Sequence, residues 1–498
     1  MYVELTFAKW NLPFQSTHKL TIDYSVSILN KLYINYYIRG ERVDNKDRSK
    51  QLGEERIFKL ILKFSIPAII GMLVNALYNV VDRIYIGHGV GSLGIGGITV
   101  SFPIMLILMA FSMLIGVGAN SLVAIRFGQG RKEEAEGIFN NAFLLLLVSS
   151  LVLTVIGLVT MEPVLKLMGT SDQILPYAKD YLSIILFGAV FQSVGMGMNN
   201  FIRSEGNPKI AMNTMLIGAI TNIVLDPIFI FVFKWGMKGA ALATIISQAV
   251  SAIWVLSYFI RGKSFLKLRL SYMKPKAVYV NKILALGIAP FTMQIASSIL
   301  NFIMNRGLNT YGGDLAVSGM GIVNSVVTLM IMPIFGINQG VQPIIGYNYG
   351  ARKFDRVKQA YHLSVIFATA IVLIGWITTR LFPQQLVYLF NNEDTELISF
   401  GVKAIRRNLI FLPVIGFQIV SSNYFQAIGK PKHSAFLGLS RQVLILIPAL
   451  IILPRFFGLD GLISAGPVAD ITSAVLTGIF IINEMRKLDT LHKDDPVS

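Results

Sequence analysis

The sequence predicts an all-α polytopic membrane protein, with twelve transmembrane helices in two parallel six-helix repeats around a central cavity. Three observations carry this. Of 498 residues, 54% are hydrophobic and only 14% charged, where a soluble domain has about 25% charged, and the mean hydropathy is +0.61. Continuous apolar runs recur, each long enough to cross a hydrocarbon core of about 30 Å as a helix. Short patterns return in the same order after about 220 residues.

In chain order the predicted spans are 57–86, 95–125, 138–160, 174–199, 210–233, 238–260, 281–306, 315–345, 358–380, 398–424, 434–455 and 461–483. The runs are continuous and do not alternate as barrel strands do. In the repeat, NNFIRSEGNPKIA (199–211) returns as SNYFQAIGKPKHSA (422–435), GQGRKEEA (128–135) as YGARKFDR (349–356), and WGMKGAAL (235–242) as FGLDGLIS (457–464). Pro67 of the first span corresponds to Pro290 of the seventh. A unit of six spans re-enters the membrane from the side on which it began, so both halves share one orientation about an axis along the membrane normal. The expected organisation is an N-terminal extension over 1–50, cytoplasmic and poorly ordered, and an N-lobe over 51–260. A cytoplasmic linker over 261–280, a C-lobe over 281–485 and a cytoplasmic tail over 486–498 complete it. Residues 1–50 lack the apolar region and small-residue cleavage site of a signal peptide.

The net charge of +17 is placed by topology and not by a nucleic-acid surface. Arg131, Lys132, Arg203, Lys209, Arg352, Lys353, Arg356, Lys358, Lys430 and Lys432 fall in the even-to-odd connections, and the central connection from Arg261 to Lys282 is richer still. By the positive-inside rule both termini are cytoplasmic in the inner (plasma) membrane; Lys403, Arg406 and Arg407 are exceptions near an outer helix end. With no cysteine there is no disulfide, thiolate metal site or cysteine nucleophile.

An ionisable side chain at membrane depth costs about 2.5–3.5 kcal/mol on insertion scales, so each one asks for a function. Asp82, Asp226, Arg441 and Asp470 qualify, whereas Arg83 and Arg306 sit near span ends and can snorkel. In NIVLDPIFIF, Asn222 and Asp226 stand four residues apart on one helix face. Pro227 leaves the carbonyl of Ile223 without its helical partner and disfavours α geometry at Asp226. Thr244, in the small-residue stretch GAALATIISQ, offers a hydroxyl. Asp82, Asn222, Asp226 and Thr244 supply oxygen only, which suits Na⁺ or H⁺ and not zinc or copper. If the two Asp residues are close they titrate as a coupled pair; the alternative is that each is separately neutral and purely structural.

Pro67, with Gly71 one turn on, predicts a hinge in the first span. The second half holds Asn305 and Pro448 where the first holds Asp82 and Asp226, so the cation site belongs to the N-lobe. Arg441 and Asp470 form a candidate C-lobe polar site, either a structural ion pair or a substrate or proton site. GVGSLG (89–94) follows no strand and reads as a turn. No Walker A motif, G-x-S-x-G or histidine cluster occurs. The 19 Met and 32 Phe include candidates for an adaptable cavity wall.

The pattern P-x-x-x-x-M-x-x-N-x-x-Y-N-x-x-D from Pro67 to Asp82, the GQGRKEEA and YGARKFDRVKQA loops, and GNPK and GKPK after the fourth and tenth spans together resemble the multidrug and toxic compound extrusion (MATE) family. The resemblance spans about residues 50–485 and is to the MepA- and DinF-like branch rather than the NorM-like one, whose acids in the seventh and tenth helices are missing. It implies a monomeric antiporter in the lipid bilayer, with no cofactor beyond a coupling H⁺ or Na⁺, that carries cationic amphipathic compounds outward. On that resemblance Asp82, Asn222, Asp226 and Thr244 bind the cation and Pro67 bends the first helix. A lipid or lipid-linked oligosaccharide flippase is the nearest alternative, and an integral membrane enzyme a more distant one.

Overall fold

The computed structural model describes residues 50–167, 170–261, 264–269, 272–388, 390 and 395–493, so the expected N-terminal extension lies outside the described residues apart from Lys50. Among the described residues every regular element is helical. After a single turn, Gln51–Glu54, the chain forms α1 Ile57–Gly89, α2 Ser92–Gly128, α3 Lys132–Leu167, α4 Leu175–Ser204, α5 Pro208–Pro227 and α6 Gly236–Ile260. The second half gives α7 Ala277–Gly313, α8 Leu315–Gly350 and α9 Phe354–Leu381. α10 is a bent pair, Thr395–Asn408 and Leu412–Ala427, turned by 54°. The sequence predicts one unbroken tenth span; Pro413, at the start of the second segment, has no N–H with which to continue the first. α11 begins at Pro431 and α12 ends at Lys493, and they are separated where Gly458 leaves helical geometry (φ 54°, ψ −136°). With the 60-residue span Pro431–Thr490 divided at Gly458 and the bent pair taken as one span, the described residues contain the twelve predicted crossings.

Left-handed backbone marks the repeat. Gly91 and Gly313, Gly130 and Arg352, Gly206 and Gly429, and Gly236 and Gly458 all have positive φ, each pair about 222 residues apart. After α4, Asn207 N–H donates to the Ile202 carbonyl, and after α10, Lys430 N–H donates to that of Phe425, the same helix-ending motif. One register differs from the sequence match, which sets Gly130 opposite Ala351. The bond from Arg131 N–H to the Arg126 carbonyl is repeated by Lys353 N–H to that of Asn348, so Arg352 takes the left-handed position of Gly130.

Lipid is as apolar as leucine, so helices gain little by hiding aliphatic surface from it, and close packing decides where they meet. α2 and α8 cross as repeat equivalents: Gly128 lies against the Tyr347 carbonyl, Gly350 against that of Ile125, and Gly346 against Ala124. A side chain on Gly128 or Gly350 would collide with backbone there. Nearby, Gln342 Nε2 donates to Ser121 Oγ across the two halves (2.9 Å), and within the first half Ser204 donates to Asn120 (2.7 Å). Exposed Val155, Val159, Phe187, Ile253, Phe456 and Val475 form part of an apolar outer surface fit for a multi-pass membrane protein.

Candidate cation site

α1 passes through Pro67 without losing helical geometry, and that proline is buried. Near its far end α1 delivers Asp82 to the last turns of α5, where Asn222 and Asp226 share a face. Asp226 is fully buried, and Asn222, Thr244 and Asp82 are 1%, 6% and 8% exposed. The Asp82 and Asp226 carboxyl groups lie within hydrogen-bonding reach of each other, and Asn222 Nδ2 donates to Asp226 Oδ1 (3.3 Å). α5 does not fray at Asp226: it stays helical through Pro227 and widens into a π turn over Ile228–Val232. Pro227 disfavours α geometry at Asp226, yet Asp226 stays helical here, and the departure comes after the proline as a wider turn.

Two residues that the sequence reading did not single out complete the site. Tyr181 of α4, 2% exposed, lies beside the side chain of Thr244 and in the field of both carboxyl groups. Tyr78, one turn before Asp82 and half-buried, lies in the same field. Its i, i+4 spacing to Asp82 was a usable signal; Tyr181 gave none, since an aromatic in an apolar helix reads as packing.

Three buried oxygens, Asp82 Oδ1, Asp226 Oδ2 and Asn222 Oδ1, have no hydrogen-bond partner among the described residues. All are acceptors, and acceptors left bare in a dry interior are costly. Two adjacent carboxylates cannot both stay ionised there without a proton or a cation between them. The oxygen donor set therefore fits Na⁺ or H⁺, and among the described residues no group of three or more His, Asp or Glu is gathered as for a transition metal. Arg83, exposed and over the Phe102 ring at 5.9 Å, is the nearest cation to Asp82 in the chain.

The second half builds something different. Asp470 Oδ1 accepts from Arg441 Nε (2.8 Å) and Nη2 (2.7 Å), joining α11 to α12. Arg441 sits in a π-helical stretch, Ser440–Leu446, and its neighbour Gln442 donates to Ser297 of α7 (3.2 Å).

Apolar helices laid down twice over, with an acidic oxygen-lined site in one half, define a multi-pass membrane protein of the transporter kind. The sequence model of the MatE family matches residues 67–228 and 290–451, and the chain belongs to that family. The two matched segments begin at Pro67 and Pro290, the prolines aligned by the internal repeat. The multidrug export protein MepA of Staphylococcus haemolyticus is 28% identical over 440 residues, 88% of this chain and 96% of that one. MepA of Staphylococcus aureus strain MRSA252 is 27% identical, covering 87% of this chain and 96% of its own. Among solved structures, the MATE multidrug transporter DinF-BH, solved as a complex, superposes with a TM-score of 0.82 at 40% identity, covering 88% of this chain and 98% of that one. An outward-facing multidrug resistance MATE family transporter of the MOP superfamily gives 0.84 at 26% identity, over 90% and 100% of the two chains.

Proposed function

We propose that this chain is a secondary active multidrug exporter, a cation-coupled antiporter of cationic amphipathic organic compounds working by alternating access. The observation that carries the reading is the buried Asp82–Asp226 pair with its three unpartnered oxygens. On this reading a proton or Na⁺ is cargo: its arrival from outside neutralises the pair, and its departure to the cytoplasm restores the charge. Asn222 fixes Asp226 by donating to Oδ1, and Tyr181 lies beside both the Thr244 side chain and the two carboxyl groups. Neutralisation alters the balance of forces on α1, which carries Asp82 fifteen residues beyond Pro67. Substrate cations are drawn to the ionised pair and released when it is neutral.

The names of the relatives, multidrug export proteins, and of the structural neighbour DinF-BH, a multidrug transporter, support this substrate class. The charge distribution supports a plasma-membrane protein with both termini cytoplasmic. The reading keeps the protein monomeric, with an N-lobe over 51–260 and a C-lobe over 281–485. Reconstituted vesicles test it: an imposed H⁺ or Na⁺ gradient should drive ethidium movement by the wild type. Gradient-independent movement at the same rate would contradict coupling.

A further inference from the structure

α7 opens the second half, yet its first turns are built into the core of the first. Ile283 and Leu286 are buried among residues of α2–α6. Gly287 lies against the Leu114 backbone and Gly118 against that of Ile283. The segment that leads into α7 is fastened to the same helices. Asn140 and Asn141, both buried on α3, each use one amide as donor and acceptor toward its backbone. Asn140 donates to the Lys267 carbonyl (2.9 Å) and accepts from Arg269 N–H (2.9 Å). Asn141 donates to the Tyr272 carbonyl (3.3 Å) and accepts from Lys276 N–H (2.8 Å). Glu205, also buried, accepts from the Ser264 hydroxyl (2.6 Å) and Leu266 N–H (2.7 Å).

Beyond Pro290 the partners of α7 change. Leu300, Ile303 and Met304 pack on the core of α8–α12, and Met293 lies against Gly438 of α11. Proline removes the helical donor to the carbonyl four residues back, here Leu286. That carbonyl is taken instead by Gln426 Nε2 of α10 (3.3 Å).

α1 shows the same exchange in reverse. Before Pro67, Ile57, Leu60 and Phe64 belong to the core of α8–α12, Asn348 Nδ2 donates to the Leu52 carbonyl (2.8 Å), and Gly340 lies against Ser65. After Pro67, Gly71 meets Met215 of α5, and Asp82 reaches Asp226.

We infer that the two lobes exchange the bases of their first helices: residues 277–289 travel with α2–α6, residues 57–66 travel with α8–α12, and Pro290 is a pivot paired with Pro67. The inference rests on the alternating-access reading and adds to it a second hinge and a strap. The connection between the lobes is then no slack linker, because Asn140, Asn141 and Glu205 hold it to one lobe. Bending falls at Pro290 because a helix lacking one backbone bond yields there first.

The chain has no cysteine, so introduced pairs can be linked without background. Full-length protein carrying Gly137→Cys and Tyr279→Cys, positions in contact between α3 and the base of α7, is reconstituted and joined with a short bifunctional thiosulfonate. Ethidium efflux is measured before linking, after it, and after reduction. The expected result is efficient linking and an unchanged rate. Linking that abolishes efflux, restored by reduction, would show that α7 moves as one body with the C-lobe and would overturn the inference, as would failure of the pair to link. Absence of efflux from the unlinked protein under every gradient sinks the export reading, and the pivots with it. Pro290→Ala supplies a second arm: slower efflux with unaltered ethidium affinity is expected, and an unchanged rate contradicts the pivot.

Discussion

Asn222 donates its amide hydrogen to Asp226 Oδ1 across 3.3 Å, one turn apart on α5. In doing so it leaves its own Oδ1 and Asp226 Oδ2 without partners, beside Asp82 Oδ1 in the same state. One donor thus fixes the carboxylate through Oδ1 and leaves acceptor oxygens on both side chains. Asn222→Ala removes the donor and an oxygen together. Gradient-driven efflux should fall by about tenfold, equivalent to about 1.4 kcal/mol of coupling, with melting in detergent little changed. Equal loss of efflux and stability would mean that Asn222 is only a packing residue.

If the proposed site takes Na⁺, Thr244 is the residue whose loss should weaken sodium binding. A ligand at a hundred times its Kd stabilises a folded protein by about 2.7 kcal/mol. If Na⁺ binds, sodium should raise the melting temperature of the wild type, and Thr244→Val should need more sodium for the same rise. A flat titration of the wild type, with efflux still driven by a pH gradient, assigns the site to protons alone.

The Arg441–Asp470 pair is expected to hold α11 to α12. Removing one partner of a buried pair costs about 3–5 kcal/mol, whereas replacing both by apolar groups is far better tolerated. Arg441→Met or Asp470→Leu alone should lower unfolding stability strongly, and the double variant should recover most of it. A double variant that is stable but inactive would make the pair a transport element.

Glu205 carries a pH signature. Burial pushes its carboxyl up from 4.5 to about 7, against the hydrogen bonds from Ser264, the Leu266 backbone and Tyr258. Its contribution to stability is then fully present below the unfolded value and is lost as pH rises through about 7. At about 1.4 kcal/mol per unit the span is at most about 3.5 kcal/mol. Between pH 5 and 8 the wild type should lose melting temperature relative to Glu205→Gln; parallel curves would refute the assignment.

The α2–α8 crossing should close and open during transport. Cysteines at Ala124 and Gly346, where an added Cβ would touch its partner, should form a disulfide on oxidation and stop efflux until reduced. Efflux that continues through a complete disulfide would place the moving seam elsewhere.

The helical crossings were legible because hydrocarbon demands long apolar runs, and the left-handed pairs Gly206/Gly429 and Gly236/Gly458 coincide with matches already visible between the halves. Asp82 and Asp226 stood out because carboxylates are rare at that depth. Tyr181 did not, since its hydroxyl matters only once α4 and α6 are brought together. Arg352 was misaligned by one residue because backbone conformation, not residue type, sets that register. The clamps of Asn140 and Asn141 were silent for a related reason: side-chain bonds to a distant backbone leave no periodic trace. The bend in α10 was foreshadowed by Pro413, but a hydropathy window averages across it.

Coupling of an ion gradient to efflux by the Asp82–Asp226 pair can be tested directly. Ethidium movement should be measured in vesicles under imposed H⁺ and Na⁺ gradients, comparing wild type with Asp82→Asn, after both are shown to insert and melt alike. Gradient-driven efflux is expected of the wild type and none of Asp82→Asn. Full gradient-driven efflux by Asp82→Asn would contradict that coupling.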